Sequence, residues 1–581
     1  MAQLMSALIG VLNETLKESA IAFYKLNKAY STLEKIMQME ENYLLKNKKK
    51  NRAAAAASKK SAENLASRTS SLSLTESTTS TPKQLINDDP ESDVFKGAFD
   101  IFTHSGANLC FGALMLFLSI VPPTFQTLLS IVGFRGDRER GLRMLWQASK
   151  FDNLLGAIAG LALLDYYNAI IRSAIIIPDL SGDHEKDVST YPVDRLHKLL
   201  KDMRTRFSKS QLWLLEGSRM LAFDRRLDLA LDSLTNCGTS PLKQVEALRM
   251  FELSFDSMYS HQYELCAESF IKCIDLNSWS QALYVYNAAS CYLVLYRKAG
   301  NDKAAAEKWA KKATDLYNKV PDYAGKKKFL ASQLPFDVYV LRKVNKFQER
   351  ARRMGVPLVD AVGVDPVEEM IFLWNGPLRM DAAQLEDSWA NLAWSEEGEV
   401  NSKRWAKESA DEKALMAICR AGILREQRKH EEAKKLLTEQ ILNRPEPTKD
   451  PYHENWVKPI AHFEMANNAW MQRSEYRPFD PTEEVEGEKK AVDETTTTAA
   501  AATAATTKTS TTASSAASSV RGSINGGGKK ASEADRRYIA EAKEHIDKLA
   551  KWHAYELHAR FGMKVTMAQT TIQRWQNAHP Y

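Results

Sequence analysis

One stretch constrains this chain more than any other: residues Ile101 to Phe134 contain no Asp, Glu, Lys or Arg. Its apolar centre, LCFGALMLFLSIVPP, runs from Leu109 to Pro123, and the charged turn RGDRER closes it from Arg135 to Arg140. A second apolar run, Leu154 to Ile177, has Asp165 and Arg172 as its only charges. A helix that crosses a membrane needs about 20 mostly apolar residues. The first run meets Pro122 and Pro123 early and reaches that length only by taking in Thr103, His104, Ser105 and Asn108. The second is long enough, but Asp165 and Arg172 are costly near a bilayer centre unless they are paired. Gly156 and Gly160 form a GxxxG step, which marks a helix seam in lipid and equally lets two soluble helices pack closely. The buried-core reading is preferred here. His104, Asn108, Asp165 and Arg172 discriminate, because pairing inside the protein argues against an anchor.

The composition is that of an ordinary globular protein, 44% hydrophobic and 26% charged, and a net charge of +6 on 581 residues gives no case for nucleic acid. The six cysteines include no CxxC pair and mostly fall in apolar helical patterns, as buried reduced thiols do. The opening MAQLMSALIGVLNETLKESA lacks a basic region, so a cleaved secretory leader is not expected and the chain reads as intracellular.

Apolar positions recur at 3 and 4 spacing almost throughout, which predicts an all-α fold. Seven segments follow: N-terminal helices (1–45); a disordered basic and Ser/Thr-rich linker (46–90), opening with KNKKKNR; an apolar helical region (91–185); tetratricopeptide-like repeats (186–325); further helical repeats (326–482); a disordered Thr/Ala/Gly insertion (483–533); and C-terminal helices (534–581), bent at Gly562. The repeat reading rests on helix pairs with a large residue early and small residues where the two helices meet. Trp213, Gly217 and Ala230 fit one pair; Phe251, Met258, Ala267 and Ile271 fit a second. Ala289, Tyr292, Ala310 and Ala313 fit a third, stopped at Pro321, and Ala421, Leu424, Ala433 and Leu437 a fourth, followed by Pro445. The fold expected is therefore an α-solenoid of helical hairpins with disordered insertions.

No catalytic or metal motif is present: no Walker loop, GxGxxG, GxSxG or HExxH. His545, His553 and His558 share a predicted helix without the i, i+4 spacing a metal needs, and His453 and His462 stand apart with no Cys nearby. Asp137 reads as a helix cap with Arg138 as a solvated neighbour. The basic and aromatic residues from Arg342 to Arg353 are too scattered to argue for RNA. No catalytic, cofactor-binding or metal-binding residue is assigned, and no enzyme activity or cofactor is expected.

Several strings resemble one family: FTHSGANLCFG (Phe102 to Gly112), VGFRGDRERGLRMLW (Val132 to Trp146), NSWSQALYVYNAASC (Asn277 to Cys291), MIFLWNG (Met370 to Gly376), WVKPIAHFEMA (Trp456 to Ala466) and WHAYELHARFGMKV (Trp552 to Val565). They resemble the fungal inclusion body clearance protein family, which is similar to an animal tetratricopeptide-repeat family. The part before AFYKLNKAYSTLEKI is short for that family. The resemblance implies a non-catalytic scaffold that clears misfolded-protein inclusions after folding stress. It further implies contact with lipid droplets, their proteins and aggregated proteins, in the cytoplasm and also the nucleus. Peripheral membrane contact fits this best. Two alternatives stay open: a repeat protein anchored in the mitochondrial outer membrane, and a lipid or sterol carrier using residues 109–121 and 154–177.

Overall fold

A computed structural model describes residues 21, 24–46, 97–120, 136–178, 187–326, 328–329, 332–445, 450–474, 476, 531–552 and 554–579. The two expected disordered segments lie almost wholly outside these residues, as do Pro122 and Pro123. The described chain is helical apart from one hairpin of two-residue strands, Lys328–Phe329 paired antiparallel with Ser332–Gln333.

The first helices form an apolar module. Helix α1 covers 24–46, α2 Ala98–Ile120, α3 Arg138–Ser149 and α4 Leu154–Asp165, which continues as a π-helical turn over Tyr166–Ile171. Asp137 and Asn153 cap α3 and α4, accepting from the backbone N–H of Arg140 (2.9 Å) and Gly156 (2.8 Å). Ala29 and Leu33 of α1 bury against Phe111, Leu114 and Leu118 of α2. Leu142, Leu145 and Trp146 of α3 meet Leu155, Leu163 and Tyr167 in a second core that extends into the next helices, α5 (Val193–Arg206) and α6 (Gln211–Phe223).

From α6 the chain is a series of antiparallel hairpins: α6 with α7 (Leu227–Asn236), α8 (Lys243–Tyr259) with α9 (Tyr263–Leu276), and α10 (Gln281–Lys298) with α11 (Lys303–Tyr323). After α12 (Pro335–Met354), the short α13 (Leu358–Ala361), α14 (Pro366–Leu373), α15 (Ala382–Ala393) and α16 (Gly398–Ala406), the pattern resumes. There α17 (Ala410–Glu426) pairs with α18 (His430–Leu437), and α19 (Val457–Met471) with α20 (Glu533–Leu549). The chain ends with α21, His558–Ala578.

The small residues of the repeat pattern sit where the paired helices meet: Ala230, Ala267, Ala289, Ala313, Ala421 and Ala433 are all fully buried. Three hairpins share one turn. Arg225, His261 and Arg428 each adopt left-handed backbone (φ 58°, 58° and 62°). The next residue's N–H then bonds a carbonyl five residues back: Arg226 to Leu221 (3.0 Å), Gln262 to Ser257 (2.9 Å), Lys429 to Leu424 (2.9 Å). This is the Schellman closure of a helix C-terminus. Gly300 supplies the left-handed residue between α10 and α11.

Two sequence expectations change. Helix α11 runs past Pro321 to Tyr323, since a proline in the last turn disturbs few helix hydrogen bonds. The C-terminal break falls not at Gly562, which lies inside α21, but at the N-cap Leu557, held at φ 62°.

Helix α21 returns the chain to its beginning. Arg560 Nε donates to Leu373 O (3.1 Å), Lys564 Nζ to Ser173 O (3.1 Å), and Arg574 pairs with Asp187 and Ser189. Beside it, α19 and α20 are fastened where the insertion leaves and re-enters: Asp535 accepts from the Ser474 N–H (2.7 Å) and hydroxyl (2.6 Å).

Candidate functional site

The discriminating residues of the apolar module are held by protein partners. Lys150 donates to Gln147 Oε1 (2.7 Å), so the Gln147 amide nitrogen donates to His104 Nε2 (3.0 Å) and leaves the ring proton on Nδ1, toward Glu40. Burial, reinforced by the Lys150 charge, depresses the His104 pKa to about 4 and keeps the ring neutral. Asn108 donates to the His104 carbonyl (3.0 Å). Arg172, buried beneath the rings of Tyr191 and Phe223, pairs with Asp224 (2.8 Å). Asp165 is exposed at the rim but pairs with Arg219 (2.8 Å). The GxxxG step is spent inside the module, where Gly156 lies against the Phe151 carbonyl and Gly160 against Met203 and Leu199.

Helices α2 and α4 are each long and apolar enough to cross a membrane, α4 with its π turn, yet 67% and 61% of their apolar windows are buried within the protein. The remainder is a surface. Helix α2 presents Phe99 (80% exposed), Phe102 (61%) and Phe117 (49%), and α4 presents Leu154 (71%) and Ile158 (42%). The helices meet where Gly106 faces Leu155 and Asn153 donates to Ser105 Oγ (3.1 Å). Phe102 lies one turn before Gly106 on α2, and Leu154 opens α4 next to Asn153. Exposed aromatic and aliphatic side chains gathered this way mark interaction sites. Periodicity flagged the helices but not this face, because an apolar run is apolar on every side and only packing decides which side stays open.

A cleft of about 550 Å³ adjoins the module, lined by Tyr30, Met115 and the turn Gly136 to Arg140. It opens between α1 and the start of α3 and includes nothing from residues 154–177, one of the two runs a carrier cavity was expected to use.

The histidines are placed differently from the sequence grouping. His462 of α19 and His545 of α20 approach with Nδ1 to Nδ1 at 2.9 Å, so one ring donates and the other accepts. Burial, then the facing His545, lowers the His462 pKa to about 4. His453 pairs with Asp411 (2.6 Å), and His553 lies outside the described residues. No group of three His, Cys, Asp or Glu that could hold a metal ion occurs among the described residues.

The basic side chains Arg342, Lys343, Lys346 and Arg350 are turned inward, while Arg352 and Arg353 are exposed. Arg342 pairs with Glu454 (2.6 Å) and Glu556 (2.7 Å), Lys343 with Glu369 and Glu454 (2.8 Å each), Lys346 with Glu412 (2.8 Å), and Arg350 with Glu408 (2.8 Å). Burial alone would raise the Glu454 pKa, but Lys343, Lys346 and Arg342 hold it well below the usual carboxylate range. This network joins α12, α14, α17 and the entry to α19 from within.

A family model described as Iml2/Tetratricopeptide repeat protein 39 matches residues 1–427. An inclusion body clearance protein iml2 from Aspergillus niger is 46% identical over 602 aligned positions, covering 100% of this chain and 81% of the relative. The Aspergillus terreus protein of that name is 45% identical, covering 100% and 82%. The one from Yarrowia lipolytica is 33% identical, covering 81% and 74%. No solved structure matches.

Proposed function

The chain belongs to the Iml2/Tetratricopeptide repeat protein 39 family, and from that premise we propose that it is a non-catalytic scaffold for clearing misfolded-protein inclusions. Its hairpin array offers surfaces to protein partners, among them aggregated proteins and lipid-droplet proteins. Its apolar module docks on the lipid-droplet surface from the cytoplasmic side. The observation that carries the docking is the open face of Phe99, Phe102, Leu154 and Ile158 on helices whose polar groups are satisfied inside the protein. A face of this kind lies on a phospholipid monolayer without crossing it.

The test is flotation of full-length protein with triacylglycerol droplets coated in phosphatidylcholine. Each of these side chains contributes about 1.5–3 kcal/mol when fully buried, so a Phe99→Ser, Phe102→Ser, Leu154→Ser variant should bind at least about a hundredfold more weakly. Unchanged binding by this variant removes the docking assignment. The span length of the same helices supports a second reading, insertion into the mitochondrial outer membrane. Resistance of the cellular protein to carbonate extraction from mitochondria would favour it.

A further inference from the structure

Two cations on the inner side of α21 have no ion-pair partner among the described residues. Arg560 and Lys564 stand one helical turn apart, on the same helix face. Arg560 lies over the indole of Trp374 (3.9 Å), which stacks on Phe336 (5.4 Å between centroids), and uses only Nε, on the Leu373 carbonyl. Its two Nη groups form no hydrogen bond among the described residues and are not sealed from solvent. Lys564 makes one hydrogen bond, to Ser173 O, and no ion pair among the described residues. Both residues lie deep in the protein yet keep partial exposure.

Glu464, whose charge acts on Lys564, is already engaged by the buried Arg425 (2.8 Å). Asn375 completes the wall, donating to Ser173 O (3.1 Å) and accepting from Arg425 (2.9 Å). Trp374 Nε1 is buried with no partner. Burial, then the positive charges of Arg560 and Arg425, depresses the Lys564 pKa to about 7, which disfavours the ammonium, and a bound anion would favour it.

We propose that Arg560 and Lys564, walled by Trp374, Asn375 and Ser173, form an internal binding site for a soluble phosphate monoester. The guanidinium keeps its Nη1/Nη2 edge, a fork that suits phosphate oxygens, and the ammonium supplies a second charge. Two unmatched positive charges call for a dianion; a single carboxylate would leave one charge uncompensated. Occupancy would strengthen the seam between α21, α14 and the apolar module, since the site draws on all three.

The test uses full-length protein titrated with inorganic phosphate at constant ionic strength, followed by calorimetry and thermal unfolding. Saturable binding with a rise in Tm is expected, with acetate at least about tenfold weaker and Lys564→Met weakening phosphate by about tenfold or more. Without phosphate, Lys564→Met should unfold no earlier than the wild type, because it removes an unpaired interior charge. Should that variant fail to fold, Arg560→Gln carries the same comparison. No phosphate-specific response in the wild type overturns the proposal, as does an equal response in the variant, which would make Lys564 a purely structural tie to Ser173. Displacement of phosphate by vesicles containing phosphatidic acid would overturn the assignment to a soluble ester.

Discussion

Arg225 and Glu426, 201 residues apart in sequence, meet in an ion pair of 2.6 Å that ties the turn of the α6–α7 hairpin to the end of α17. Glu426 also accepts from Arg425 (2.5 Å), and both it and Arg425 are 1% exposed, whereas Arg225 is one-third exposed. The two partners should therefore respond unequally to removal. Glu426→Ala removes the acceptor shared by two arginines, leaving the buried Arg425 with Glu464 as its remaining carboxylate, and should cost about 1.5–3 kcal/mol. Arg225→Ala leaves Glu426 with its buried partner and should cost no more than about 1 kcal/mol. Urea denaturation of the two variants decides it, and equal losses would contradict the assignment.

The two glycines of the GxxxG step should separate in the same way. A Cβ on Gly156 would stand 2.1 Å from the Phe151 carbonyl, so Gly156→Ala must move backbone and should destabilise by about 1–3 kcal/mol. At Gly160 the nearest atom is the Met203 methyl at 3.0 Å, the end of a flexible side chain. Gly160→Ala should lower Tm much less. The reverse order would mean that the seam is not packed as described.

Acid should weaken the protein through its neutral histidines. His104 and His462 have folded pKa values depressed to about 4, against about 6.5 for an unfolded histidine. As pH falls, the unfolded chain takes up these protons first. Their contribution is complete above about pH 6.5 and is lost progressively toward about pH 4. His462→Gln should flatten that loss by about one proton's worth of slope, measured as unfolding midpoint against pH; an unchanged slope would show that the ring is already charged in the fold.

Of the six free cysteines, only Cys237 is not buried. A thiol reagent should label one site quickly in the native protein and all six in urea. Fast native labelling at Cys266 or Cys291, whose sulfurs lie 3.3 Å apart, would show that the α9–α10 seam opens readily.

The tetratricopeptide-like array was legible because its signal is steric: Ala230, Ala267 and Ala433 are small where two helices must touch. The hairpin turns were not, since three of the four left-handed positions hold Arg or His rather than the glycine that flags such a turn. At two of them the side chain has work that glycine lacks: Arg225 pairs with Glu426, and His261 approaches Ser388 (3.1 Å) and Glu368 (3.4 Å). The inward cations of α12 read as scattered in sequence because their carboxylates, Glu369, Glu408, Glu412, Glu454 and Glu556, come from distant parts of the chain. Arg560 and Lys564 drew no notice because what sets them apart, the absence of an ion-pair partner among the described residues, is not displayed by a linear pattern.

The bonds from Ser474 to Asp535 act as a clasp at the base of a long excursion of the chain. Because the ends are held together by the α19–α20 packing, the array is indifferent to how much polypeptide hangs between them. A change in the number of residues between 476 and 531 should therefore leave the pairing of α19 with α20 unchanged.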